Sequence, residues 1–261
     1  YEIAQCLVGS EMCIRDSKRP EEGWTEFETT YYIVDQLRKM GIPVTVGKAN
    51  INENEVLGRD PQLVEDGIAR ALNHGVPQAF IDECDGYTGA VAVIDTGRPG
   101  PTTAFRSDID CVLVRETKDP EHLPNKLGFA SERPGFMHAC GHDGHSAVGL
   151  ALAHWIWDNK DQLCGKFKLI FQPAEEGVRG ARAMVEAGIV DDVDYFVGGH
   201  VGGVIGLGEV AVMDGGFLAS SKFDVTIEGK AAHAGNCPQL GNNALMAACA
   251  ASMMLQGLSL I

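Results

Sequence analysis

The chain has 261 residues, of which 45% are hydrophobic and 32 are glycine, enough for one large or two modest domains of an α/β protein. A formal charge of −15 argues against nucleic acid or an anionic membrane as partner, and no apolar run approaches the ~20 residues of a spanning helix. Eight cysteines at irregular spacing, without a secretory signal, suit reduced thiols in a cytoplasm.

Residues 1–17 hold Cys6 and Cys13, show no hydrophobic period and fit nothing that follows. Glu11-Met12-Cys13-Ile14-Arg15-Asp16-Ser17 resembles a translated sequencing adapter, so 1–17 is expected to be a non-native leader. A genuine disordered N-terminus is the alternative. Residues 24–40 read as an amphipathic helix, because Phe27, Tyr31, Val34 and Leu37 recur at helical spacing and Gly41 supplies a stop. Residues 43–46 read as a short strand, 52–75 as a charged stretch helical in part, and 88–95 as a Val- and Ala-rich strand. A Gly/Pro turn at 97–101 leads into a strand over 102–107. That strand ends in Asp108-Ile109-Asp110, whose carboxylates sit i, i+2 and share one side. On the residues alone a cap and a functional role weigh equally there. Cys111 reads as a packed thiol, and 118–133 as a polar loop with His122 on its surface.

Met137-His138-Ala139-Cys140-Gly141-His142-Asp143-Gly144-His145 gathers metal-capable side chains at one bend. Neutral imidazole and thiolate are ligands for zinc and similar ions; a thiol nucleophile or plain packing are the alternatives. Residues 146–158 read as a helix with an apolar body, capped by Ser146 or Asp143, so the bend sits at a helix N-terminus that favours anions. Residues 166–172 read as a buried strand running into Pro173-Ala174-Glu175-Glu176-Gly177. Alone, Glu175-Glu176 is more simply a solvated turn. Residues 195–201 form a short strand ending in Gly198-Gly199-His200. Cys/His, Glu/Glu and His thus arrive at successive strand ends, where α/β sheets build sites, and a metal centre becomes the better reading. Further on, 209–213 reads as a short strand and Gly215-Gly216 as a hinge. Over 222–228, Phe223, Val225 and Ile227 alternate with polar residues like a half-buried antiparallel strand. An Ala/Met-rich helix follows Asn243 to about Gln256.

Together, the His138 to His145 cluster, Phe171-Gln172-Pro173-Ala174-Glu175-Glu176-Gly177 and Gly199-His200-Val201 are similar to the aminoacylase-like metallo-amidohydrolases, over about residues 19–254. The resemblance implies an α/β fold, with a zinc-peptidase-like mixed sheet flanked by helices over 18–216. It also implies the start of an inserted α+β dimerisation or lid domain over 217–261. Cys140, His142, Glu176 and His200 would hold one or two divalent ions, Mn or Zn. Glu175 would be the general base, and Asp110 would orient a ligand or the base. His138 and His145 would support the ligands. His233, in Ala231-Ala232-His233-Ala234-Gly235, would reach an active site, often that of a partner subunit, and bind the substrate or its oxyanion with help from Asn243. Cys111-Val112-Leu113 departs from the Ala-Leu-Pro that relatives carry there.

The implied substrate is a small N-acyl amino acid, and the implied assembly a homodimer or a pairing with a homologous subunit. Gly23-Trp24-Thr25-Glu26-Phe27, Gly86-Tyr87-Thr88-Gly89 and residues 95–101 resemble the branch that splits aminobenzoyl-glutamate into aminobenzoate and glutamate. Hippurate, indole-acetyl-amino-acid and N-acetyl-diaminopimelate hydrolases are related. The family places a last histidine ligand beyond the insert, and none follows His233. A C-terminally truncated chain, inactive alone, is therefore expected. Two other classes stay open: a cysteine hydrolase using Cys140 with a nearby histidine, and a non-catalytic binding protein with a degenerate site.

Overall fold

The computed structural model describes residues 2–202, 205–206, 208–212 and 224–257, with side chains from residue 10 onward. Its apolar runs form β1 (Val44–Val46), β2 (Ala90–Asp95), β3 (Thr102–Asp108), β4 (Lys166–Gln172) and β5 (Tyr195–Gly198), arranged β1-β2-β4-β3-β5 in one sheet. The β1–β2 and β2–β4 pairs are antiparallel, while β4–β3 and β3–β5 are parallel. The carboxyl ends of β3, β4 and β5 therefore lie on one side, with Asp108 opposite Gln172. That is the side on which α/β sheets build sites. The mixed sheet flanked by helices is the architecture expected from the sequence.

The helices are α1 (Glu2–Lys18), α2 (Phe27–Lys39), α3 (Pro61–Asn73), α4 (Gln78–Cys84), α5 (Leu123–Leu127), α6 (His142–Asn159), α7 (Ala181–Val185) and α8 (Ala244–Gln256). In α2, Phe27, Ile33, Val34 and Leu37 make the buried face. The helix starts three residues later than its spacing suggests, because Trp24 takes a φ of 71° and its indole N–H donates to the Leu57 carbonyl at 2.8 Å. Leu150, Ala153 and Ile156 of α6 enter the same core as Leu169 and Phe171 of β4. α6 lies close against β3 and β4 because Gly149 has no side chain: a Cβ there would stand 2.6 Å from Ser107 Oγ and 2.8 Å from Phe171 Cε1. Gly149→Leu is expected to destabilise the protein by about 2 kcal/mol or more, since overpacking outweighs the ~1 kcal/mol of helix propensity gained. Urea denaturation reads this; an unchanged midpoint would mean that α6 lifts off the sheet at little cost.

Several elements depart from the sequence reading. Residues 1–17, in which the sequence shows no clear hydrophobic period, supply most of α1, which packs along α6 with Met12 and Asp16 fully buried. Met12 of α1 joins the core that α6 enters, and Cys13 packs against it. Neither Asp143 nor Ser146 caps α6. It opens at His142 after Gly141, whose φ is 84°. Asp143 instead accepts a hydrogen bond from Ser17, and Ser146 Oγ donates back to the His142 carbonyl. The 118–133 loop contains α5, and His122 is half-buried, with Nε2 2.9 Å from Glu116 Oε1.

The chain divides into two compact units, Tyr1–Ala211 and Val212–Ile261. Residues 209–212 are not a strand, and in the second unit 224–229 are irregular, with Val225 exposed. The alternation over 222–228 makes no strand among the described residues, and the isolated bridge in this unit joins Lys230 to Asn242. Gly215-Gly216 and Phe223 lie outside the described residues. No described helix is long and apolar enough to cross a membrane.

Candidate metal centre

β3 delivers Asp108 and Asp110 to the common end of the sheet, both fully buried on either side of the buried Ile109. Asp110 is the hub. Its Oδ1 accepts from Glu175 N and its Oδ2 from Glu176 N, each at 3.0 Å, and its carbonyl accepts from His142 Nδ1 at 2.8 Å. One residue thus fixes both the Glu-Glu turn after β4 and the ring at the head of α6.

Because His142 Nδ1 donates to a carbonyl, Nε2 is the nitrogen that offers a lone pair whenever the ring is neutral, and that atom is buried without a partner. It lies 3.8 Å from Asp108 Oδ2, 3.9 Å from Glu175 Oε2 and 3.9 Å from Glu176 Oε1. Burial works against a charge on this imidazole, but the hydrogen bond to Asp110 and the surrounding carboxylates outweigh it and raise its pKa to about 8. The pocket therefore favours positive charge. Glu176 Oε1 is likewise buried and unpartnered.

Cys140 and His200 complete the group, with Sγ 3.5 Å from Nε2. His200 Nδ1 donates to the Val201 carbonyl at 2.7 Å, which leaves Nε2 facing the thiol. Burial, and then the charge of Glu176, push the Cys140 thiol up to about 11. A nucleophilic cysteine needs the opposite environment. Among the described residues, three sets of donor atoms lie within 4.8 Å of one another: Cys140 with His142 and His200, His142 with Glu175 and Glu176, and Asp108 with His142 and His145. In the last set His145 is already committed. Its Nδ1 contacts Asp108 Oδ1 and its Nε2 accepts from Val201 N at 2.9 Å. It ties the end of β3 to the chain just after His200. His138 joins none of these sets. Both its ring nitrogens are buried without partners, and burial holds its pKa down at about 4.

Glu175 is half-buried and more open than the other carboxylates of the cluster. Burial raises its pKa, Arg106 at 3.8 Å opposes the rise, and Asp108 adds to it. The donors present, two imidazoles, a thiol and carboxylates, two of whose atoms are buried and orphaned, fit a divalent cation. An apolar cleft of about 310 Å³ opens beside His145 and His200, walled by Phe105, Val148, Leu152 and Val197.

His233 and Asn243 belong to the second unit, and both are exposed. His233 Nδ1 accepts from Gly235 N and Asn236 N at 3.1 Å each, and Asn243 Oδ1 caps α8 through Met246 N at 3.1 Å. Cys111 is the packed thiol expected, buried and with its pKa raised by that burial. Three contributors escaped the sequence reading. Asp108 is visible in the i, i+2 pair, but the resemblance points to Asp110 instead. Arg106, bonded to Gln172 Oε1 at 2.9 Å and paired with Asp108 at 2.7 Å, showed only as a charge inside a strand. Glu26 reaches the Glu-Glu turn from 148 residues away, and no local pattern marks it.

Residues 104–259 match the family described as peptidase family M20/M25/M40. The chain is 49% identical over 241 residues to a Haemophilus influenzae homolog of one p-aminobenzoyl-glutamate hydrolase subunit, covering 92% of this chain and 57% of that protein. Over an equal length it is 46% identical to the indole-3-acetyl-aspartic acid hydrolase of Enterobacter agglomerans, covering 92% and 55%. It thus spans about half the length of the curated relatives it matches. Among solved structures it resembles an aminobenzoyl-glutamate utilization protein from Klebsiella pneumoniae (TM-score 0.62, 39% identity, 77% of this chain and 46% of that one). It also resembles a Bacillus subtilis protein described as a dinuclear metal-binding peptidase (TM-score 0.55, 30% identity, 76% and 43%).

Proposed function

Because the chain belongs to peptidase family M20/M25/M40, we propose that its protein is a metal-dependent amidohydrolase of N-acyl amino acids, splitting aminobenzoyl-glutamate into aminobenzoate and glutamate. One observation carries the reading. His142 Nε2 and Glu176 Oε1, buried and unpartnered 3.9 Å apart, sit in one cluster with Cys140 and His200. Burying such atoms unpaired costs stability, and a cation among them removes the cost.

Cys140, His142, Glu176 and His200 would hold one or two divalent ions. Imidazole and thiolate suit Zn and the carboxylate suits Mn; the dinuclear Bacillus subtilis relative favours two. Such an ion, when bound, polarises the scissile carbonyl and acidifies the attacking water. Glu175 takes the proton from that water and passes it to the leaving amine nitrogen, so that the acyl group departs as a carboxylic acid and the amino acid as its amine. Asp110 keeps Glu175 and Glu176 in line and fixes the His142 tautomer. We assign His233 to the substrate or its oxyanion, and Asn243 to the substrate. Residues 18–216 belong to the catalytic domain and 217–261 open a dimerisation or lid domain. The assembly is a homodimer or a pairing with a homologous subunit, as the subunit naming of the Haemophilus influenzae relative suggests. A reducing cytoplasm suits its thiols.

Indole-acetyl-aspartate is the second reading, favoured by the Enterobacter agglomerans relative; it too joins an aromatic acyl group to an acidic amino acid. Assaying both substrates with and without a chelator decides. Aminobenzoyl-glutamate is expected to turn over faster, the chelator to abolish turnover, and Mn or Zn to restore it. Faster indole-acetyl-aspartate cleavage would select the second reading. Turnover that survives the chelator, with an acyl adduct on Cys140, would make the protein a cysteine hydrolase.

A further inference from the structure

We infer that Glu26 is a positioning residue that holds the Glu175-Glu176 turn from behind, taking the amide of Ala174 while Asp110 takes the next two. The inference rests on the roles proposed above for Glu175 and Glu176. Glu26 lies just before α2 and is fully buried. Its Oε1 accepts from Ala174 N at 2.7 Å, and its Oε2 accepts from Thr88 Oγ1 at 2.6 Å. With Asp110 accepting from Glu175 N and Glu176 N, three consecutive amides end on two buried carboxylates from distant parts of the chain.

The turn needs that hold. Ala174 has a φ of 50°, in the left-handed region that alanine seldom enters, and such a conformation lasts only where its surroundings over-determine it. The segment before α2 is shaped to approach it. A Cβ on Gly23 would stand 2.9 Å from both Cα and Cβ of Ala174, so only glycine lets this stretch close on the turn. Gly23 makes the room, Glu26 supplies the acceptor, and Thr88 fixes the carboxylate. Released at Ala174, the peptide is free to rotate back to an ordinary conformation, and the two glutamates beyond it swing away from His142.

The test compares the purified protein with Glu26→Ala, Glu26→Gln and Thr88→Val. Mn²⁺ affinity is read by calorimetry, and amide exchange over 174–176 by mass spectrometry. Glu26→Ala is expected to speed exchange at these amides and to weaken Mn²⁺ binding about 10- to 100-fold, the range for outer-shell partners of a metal site. Glu26→Gln keeps an acceptor for Ala174 N and turns its amide donor to Thr88, so it should restore both readouts. Thr88→Val, of equal size, frees one carboxylate oxygen and should move both readouts part of the way; it decides the matter if Glu26→Ala does not fold. Wild-type exchange and wild-type affinity in the deciding variant would overturn the inference. Failure of the metal reading looks different: the unaltered protein would take up no Mn²⁺, yet exchange at 174–176 would still respond to Glu26→Ala.

Discussion

Glu175→Gln is expected to bind metal as the unaltered protein does and to lose turnover by at least about 100-fold. Glutamine keeps the size and the backbone amide that Asp110 holds, so the turn survives. What it loses is the ability to accept a proton. Glu175 is well placed for that transfer. Its Oε2 lies 3.9 Å from His142 Nε2, its side chain is 34% exposed on the open side of the cluster, and its partner Arg106 is 3.8 Å away. The pKa of its carboxyl is raised, first by burial and then, against the pull of Arg106, by Asp108. A raised carboxylate is a better base near neutrality than an ordinary one. Steady-state kinetics on aminobenzoyl-glutamate, with metal content measured on the same sample, reads the result. The loss should fall on kcat rather than KM. Near-normal kcat would remove Glu175 from the chemistry.

The parts of this site that were legible in the sequence are those encoded locally. β4 runs over the residues its apolar pattern marked, and β3 over one more, because a buried run bounded by Gly/Pro turns has little else to become. Cys140, His142 and the two glutamates could be noticed because metal-capable residues crowd into short stretches. What could not be read was long-range or compensatory. Whether His145 has a free nitrogen depends on Asp108 and Val201, from two other elements. Glu26 meets its turn only once the chain has closed. Alternation over 222–228 was a sound strand signal, but a strand needs a neighbour, and those described residues have none. The same limit works in reverse for α1: residues 1–17 carry no clear helical period, yet a helix lies there, packed against α6 with Met12 in the core.

Glu176→Gln, one residue away, should do the reverse of Glu175→Gln and empty the centre. Its Oε1 is buried without a protein partner, 3.9 Å from His142 Nε2, and its charge is one of those that raise His142. An amide in its place offers a neutral oxygen or a donor. A donor aimed at this spot satisfies His142 Nε2 directly, and the site then no longer needs a cation. Metal affinity should fall by at least about 100-fold, because the loss of outer partners alone costs 10- to 100-fold. Turnover should fall with it and return in part at high metal concentration, whereas turnover in Glu175→Gln should not respond to added metal. The fold should be unharmed, since the side chain is 26% exposed and the backbone amide still reaches Asp110. Calorimetric titration with Mn²⁺ or Zn²⁺, followed by activity against metal concentration for both variants, separates the two residues. If Glu176→Gln kept full metal affinity while Glu175→Gln lost it, the ligand and the base would have to exchange places.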